Sequence, residues 1–209
     1  MAGTITALMI QKRNKERVNL FIDDKFALAI TALAALTLHK GQHLSDADIE
    51  RLKDDDELDK AYNAAIRYLG FRPRSRAEIE RYLRDKGYPP EVIDHTVNRL
   101  QEQRYLDDEE FARFWLENRE RFRPRGRQAL RYELKQKGLD PEVVETALAD
   151  LDEDESAWAA IEGKFYRWKN LEEQDFKQKV MGFLSRRGFN YETANQTANR
   201  AWSSLDVSE

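Results

Sequence analysis

The 209-residue sequence predicts a mainly α-helical protein, in which three tandem three-helix repeats form an elongated curved array behind a small amino-terminal β-meander with covering helices. Three observations predict this class. Apolar residues alternate with a period of two near the amino terminus and then switch to helical spacing. A block of sequence recurs with an offset of 51 residues. The signals that start and stop helices fall at matching places in each copy. The expected segments are 1–58 for the meander and short helices, 59–106, 107–152 and 153–205 for the repeats, and 206–209 for a disordered tail.

In the meander, a first strand from about Thr4 to Ile10 leads into a polar turn from Gln11 to Arg17, centred on Asn14. Val18, Leu20 and Ile22 share one face of a second strand, and Phe26, Leu28 and Ile30 one face of a third, with Asp23-Asp24 as the turn between them. Three strands are marginal alone and need a cover for their apolar face. The Ala/Leu-rich segment Thr31 to Lys40 is expected to supply it as a helix, with Gly41 in the left-handed position that ends it. Ser45 then caps a short acidic helix from about Asp46 to Lys53. Asp54-Asp55-Asp56 lacks the spaced ligands and glycine of a calcium loop, so a solvated acidic loop or helix end is expected there.

The repeats follow. Phe71-Arg72-Pro73-Arg74-Ser75-Arg76 recurs as Phe122-Arg123-Pro124-Arg125-Gly126-Arg127, and Leu83, Lys86 and Gly87 recur as Leu134, Lys137 and Gly138. Pro90-Glu91-Val92 recurs as Pro141-Glu142-Val143. In a weaker third copy, Leu184, Arg187 and Gly188 match Leu134, Lys137 and Gly138, and Asn170 to Asp175 replaces the Phe-Arg-Pro-Arg element. The middle helix of the first copy opens with the capping box Ser75 to Glu78 and stops at Gly87. The last helices open on Pro90 and Pro141, where a missing amide proton costs little. The leading helices carry larger residues: Tyr62, Ile66 and Leu69; Phe111, Phe114 and Trp115; Trp158, Ile161, Phe165 and Trp168. The last set falls on one helical stripe and reads as core rather than as base-stacking surface, with Tyr166 off the stripe.

Composition excludes several function classes. Without cysteine there are no disulfides, thiolate metal sites or cysteine nucleophiles. The longest uncharged stretch, Phe26 to Leu38, has 13 residues against the roughly 20 of a membrane span, and no export signal is visible. A cytoplasmic protein with no membrane association is therefore expected. No two of the nine glycines have the spacing of a nucleotide-binding loop, and three scattered histidines, His39, His43 and His95, make no convincing metal set. Catalytic residues, metal ligands and cofactors are not expected, and the protein is not expected to be an enzyme. Asp107-Asp108, followed by Glu109 and Glu110, reads as a cap and first turn rather than an acid/base pair.

The net charge of −4 is the residue of opposing blocks. Arg119 to Lys137 holds eight positive and two negative side chains (8 − 2 = +6), whereas Asp140 to Glu155 holds eight acids and no base. Such a basic segment can meet a polyanion even on an acidic protein. Prolines between helices place Arg72, Arg74, Arg76, Arg123, Arg125 and Arg127 on the exposed rim of consecutive repeats, where guanidinium forks suit phosphates or an acidic groove. Arg131 and Lys135 extend this candidate surface. The plainer reading is that these cations neutralise helix ends and pair with nearby glutamates.

Arg74-Ser75-Arg76 leading into Glu78, Leu83 to Tyr88, the junction Arg104-Tyr105-Leu106-Asp107-Asp108-Glu109-Glu110-Phe111-Ala112, and Gly126 followed by Glu133 to Gly138 together resemble the RecX regulatory proteins. The resemblance spans about residues 60 to 202. It implies a modulator of the RecA recombinase, in which tandem three-helix repeats bind the RecA filament on single-stranded DNA and inhibit its ATPase and strand exchange, modulating recombination and DNA repair. The expected partners are thus the RecA filament and single-stranded DNA, met directly or within the filament, with the protein itself a monomer. The alternative is a direct single-strand DNA binder that competes with the recombinase for DNA.

Overall fold

The computed structural model describes residues 2–206, apart from the side chain of Asp206. They fall into two compact units. The first comprises Met1–Arg72 and Ile79–Tyr105, and the second Pro73–Glu78 and Leu106–Glu209.

In the first unit, β1 (Gly3–Ile10), β2 (Arg17–Ile22) and β3 (Lys25–Thr31) form the expected antiparallel meander. A two-residue strand, β4 (His43–Leu44), adds to its edge and gives the order β3-β2-β1-β4. Val18, Leu20, Ile22, Leu28 and Ile30 are buried as the alternation requires. Phe26 is not: the β2–β3 register shifts between Leu20 and Phe21, pairing Phe21 with Phe26 and leaving Phe26 58% exposed. The covering helix is also shorter than expected. It forms a single turn, α1 (Ala32–Ala35), because the following residues return the chain to the sheet: the Gly41 amide donates to Ile5 O at 2.8 Å and the Ile5 amide to Gln42 O at 2.9 Å. Gly41, at φ +89°, turns the chain into β4 instead of ending a helix.

The cover comes instead from α2 (Asp46–Leu69), which runs unbroken for 24 residues and buries Ile49 against the sheet. Two expected elements, the acidic helix and the leading helix of the first repeat, are thus one. Nothing between Asp46 and Leu69 breaks a helix, and the acids find local cations, as in Lys60–Asp56 at 2.7 Å. The expected solvated acidic loop or helix end at residues 54–56 is mid-helix; Asp54 and Asp55 are exposed, but Asp56 is buried against the Arg17 guanidinium of β2, which also donates to Ala29 O at 2.7 Å. Farther along, Ala61, Ala64 and Ala65 are buried, as are Ile79 and Leu83 of α3 (Arg76–Asp85) and Ile93, Val97 and Leu100 of α4 (Pro90–Glu102). These three helices are the first repeat.

The second unit holds two further triplets. Phe111, Leu130, Leu134, Val144 and Leu148 form the core of α5 (Asp108–Phe122), α6 (Arg127–Gln136) and α7 (Pro141–Ala149). Asp107 caps α5, accepting from the amides of Glu109 and Glu110 at 2.9 and 3.0 Å, so it acts as a cap. The third triplet is α8 (Glu153–Ile161), α9 (Glu173–Ser185) and α10 (Tyr191–Asp206). Its leading helix stops at Ile161, ahead of Gly163, and Phe165–Trp168 forms a turn of 3-10 helix rather than continuing the stripe. Phe165 is nonetheless fully buried, with Trp158 and Trp168 packed against the same core, while Tyr166 is exposed. The helical backbone reaches Asp206, and residues 207–209 of the expected tail lie outside the described residues. Among the described residues no helix is long and apolar enough to cross a membrane.

Candidate functional site

The Phe-Arg-Pro-Arg elements lead into α3 and α6, and within the second unit each of those helix starts meets a helix end that closes on Lys-Gly or Arg-Gly. At the first joint Ser75 Oγ donates to Lys137 O at 2.6 Å. At the second, Gly126 occupies the equivalent place and its amide donates to Arg187 O at 3.0 Å. A Cβ at Gly126 would lie 2.1 Å from the Gly188 carbonyl oxygen, so the backbones touch where a serine side chain reaches across in the other joint. Gly138 and Gly188 turn these helix ends at φ +78° and +83°.

The joints differ in charge. Lys137 Nζ lies 2.8 Å from Glu78 Oε1, so the cation at the first joint is neutralised. The repeat register puts Ala129 where Glu78 would be, and among the described residues Arg187 has no carboxylate partner. Its Nη1 donates to Pro124 O at 3.0 Å and its guanidinium lies 4.6 Å from the centre of the Phe183 ring. Burial, followed by repulsion from Arg123 and Arg125, pulls the Arg187 guanidinium below its ordinary pKa.

The candidate cations are not one exposed rim. Arg123 and Lys135 are exposed, whereas Arg72, Arg74, Arg76, Arg125, Arg127 and Arg131 are half-buried. Arg72, Arg74 and Arg76 already have partners, and the Arg76 amide donates to Asp108 Oδ1 at 2.8 Å. Arg127 closes the end of α7, donating to Leu148 O at 2.5 Å and Leu151 O at 3.0 Å, with Glu153 Oε2 at 3.9 Å from its Nε. Arg131 grips Glu145 through two hydrogen bonds of 2.6 and 2.7 Å. Arg125 faces Glu133 at 2.9 Å, and the same carboxylate takes Arg119 at 2.7 Å and the Trp115 indole N–H at 2.9 Å. Among the six Phe-Arg-Pro-Arg arginines, Arg123 alone is exposed, so they do not form the exposed rim expected of them.

Sequence reasoning missed Arg187 and the exposure of the two phenylalanines, Phe71 at 83% and Phe122 at 70%. The signal for Arg187 was its register with Lys137 together with alanine at 129. In sequence each phenylalanine is one residue of the repeat motif, and its exposure depends on packing.

Family models match the chain along its length: the regulatory protein RecX N-terminal domain at residues 3–45, and the RecX first, second and third three-helix domains at 61–100, 107–148 and 152–197. The chain belongs to the RecX family. The regulatory protein RecX of Bacillus subtilis is 34% identical over 193 residues, covering 90% of this chain and 73% of that protein. The RecX of Listeria monocytogenes serovar 1/2a is 33% identical over 210 residues, covering 98% and 78%. A crystal structure of regulatory protein RecX superposes with a TM-score of 0.76 at 25% identity, covering 95% of this chain and all of that one. The RecX of Lactobacillus salivarius shares the fold, with a TM-score of 0.63 over 73% of this chain and 99% of its own. Membership assigns the chain a regulatory role, and it aligns the 3–45 model with the sheet and α1 and the other three with the helical triplets.

Proposed function

We propose that this RecX-family protein is a negative regulator of the RecA recombinase that binds the RecA filament on single-stranded DNA and inhibits its ATPase and strand exchange. The observation that carries the reading is the unbroken series of four RecX domain matches, in order, on one chain. Serial helical modules suit a binder of an extended, repetitive partner, because each presents a similar surface at regular intervals. The exposed Arg123 and Lys135, in a segment of net charge +6 (8 − 2), supply attraction for a polyanion.

Titration of the single-strand-dependent ATPase of RecA with the protein tests this. Inhibition well below one protein per nucleotide is expected, and an unchanged ATPase at saturating protein overturns it. The exposed Arg123 and Lys135 also favour a second reading, a single-strand binder that competes for DNA. Such a competitor is stripped by the salt that strips it from bare DNA, with log K falling by roughly 0.7 per neutralised phosphate per log unit of salt. A filament binder still sediments with RecA filaments at that salt.

A further inference from the structure

We propose that Arg123, Arg125 and Arg187 form an oxyanion site for a phosphodiester of single-stranded nucleic acid, with the adjoining Phe122 as a stacking platform for an unpaired base. The geometry begins with the Pro124 carbonyl. Arg187 docks its Nη1 on that oxygen at 3.0 Å, so its guanidinium sits against the Pro124–Arg125 peptide unit. The joint brings the two segments together: the Gly126 amide donates to Arg187 O, and Gly126 lies so close to Gly188 that a Cβ there would meet the Gly188 carbonyl. A guanidinium has five N–H donors, and the Pro124 bond uses one of those on Arg187.

Charge is left over. Among the described residues, Glu133 is the one carboxylate that pairs with Arg119 or Arg125, and none pairs with Arg123 or Arg187. Four arginines against one glutamate leave an excess of +3 (4 − 1). A half-buried cation without a counter-charge is unfavourable, and the equivalent joint avoids it by pairing Lys137 with Glu78. Here no counter-charge stands among the described residues, and an oxyanion from outside supplies it through forks suited to phosphate. The lowered pKa of Arg187, with Arg123 and Arg125 as its neighbours in charge, agrees with this convergence. Phe122 favours an unpaired strand over duplex or a small anion, because it is 70% exposed; the Arg121 guanidinium lies over its ring at 5.2 Å from the centre, and a base would stack on the opposite face. The site stands on the docking of Arg187 at the Pro124 carbonyl, with Arg123 and Arg125 on either side of that proline in the chain, and the choice of nucleic acid as its source rests on the function proposed above.

Anisotropy of a fluorescein-labelled oligothymidylate, read across salt concentrations, tests the site with the full chain. Arg123→Gln, at an exposed position, is expected to flatten the slope of log K against log salt by about 0.7, the loss of one single-strand phosphate contact. Arg187→Gln is expected to do the same. Phe122→Ala is expected to leave that slope intact, weaken oligothymidylate binding about 5- to 150-fold, and leave binding of an abasic oligomer of equal length unchanged. Unchanged slopes in both arginine variants overturn the proposal, as does equal competition by polyglutamate, which would make the partner an acidic protein. Competition by pyrophosphate with no change in the oligonucleotide slopes reduces the site to a small-anion site and overturns the nucleic-acid assignment. The two proposals fail separately. If the slopes are unchanged while wild-type protein still inhibits RecA, this site falls and the filament reading stands; altered slopes with no inhibition mean the reverse.

Discussion

Arginines 123 and 127 are four residues apart in one turn, yet the structure gives them opposite energetic roles. Replacing Arg127 with methionine keeps much of the side-chain length but removes two charged hydrogen bonds, to Leu148 O and Leu151 O, and the longer approach to Glu153. Hydrogen bonds to charged groups are worth about 1.5 to 3 kcal/mol each when buried. The Arg127 side chain retains 32% of its exposure, so water compensates part of the loss, and about 2 to 3 kcal/mol for the pair is the working figure. For a folding unit of this size that corresponds to a melting shift of roughly 8 to 20 °C. Arg123→Gln should leave stability within about 0.5 kcal/mol, because Arg123 is exposed and pairs with no carboxylate among the described residues. All four tryptophans, Trp115, Trp158, Trp168 and Trp202, lie in the second unit, so urea unfolding followed by tryptophan fluorescence reports on the unit that contains both arginines. A normal midpoint for Arg127→Met, or an equal loss for Arg123→Gln, would refute the division between a fold-holding and a partner-facing arginine. That division also means that removing all six Phe-Arg-Pro-Arg arginines at once would confound unfolding with lost binding.

Leu134→Ala should destabilise the same fluorescence transition by about 2 to 5 kcal/mol, since Leu134 is wholly buried among Phe111, Leu130 and Leu148; a near-neutral result would mean that this triplet does not form the core described. Gly126→Ala puts a Cβ against the Gly188 carbonyl, so hydrogen exchange should quicken at the Gly126 amide and stability should fall by about 1 to 3 kcal/mol, and unaltered exchange would refute the backbone contact. Hydrogen bonds from Arg131 hold the Glu145 carboxyl below its ordinary value of 4.5, and the hydroxyl and amide of Ser45 hold Asp48 below 3.8. Both depressed acids contribute stability that is present above those values and lost as pH falls through the lower folded-state values. Acid titration of Arg131→Gln should therefore show a shallower loss of stability below about pH 4.5 than wild type, and identical acid profiles would remove Glu145 from the account.

Much of the helical framework was legible because its signals are local. Ser75 and Glu78 exchange hydrogen bonds three residues apart, Asp140 accepts from Glu142 two residues on, and Pro90 and Pro141 open their helices through their own ring geometry. The continuity of α2 is written as locally, in the absence of any breaker from Asp46 to Leu69, and cations such as Lys60 offset the run of aspartates that otherwise points to a loop or helix end. Other features had no local signal. The fate of the 31–40 segment was decided by an edge strand that needed residues 41–44, and the exposure of Phe26 by a register shift against β2.

The arginines show the same boundary. Sequence alone determined that arginines recur at 72–76 and 123–127 and that the repeat register places Arg187 with Lys137 and Ala129 with Glu78. Only the tertiary structure decided which guanidiniums are committed to the fold, because Arg127 meets its carbonyls 21 and 24 residues away and Arg187 meets Pro124 63 residues away. Helix starts are fixed by interactions within one turn of chain, whereas a long cation's role is fixed by whichever acceptor or counter-charge packing brings within about 3 Å of its tip.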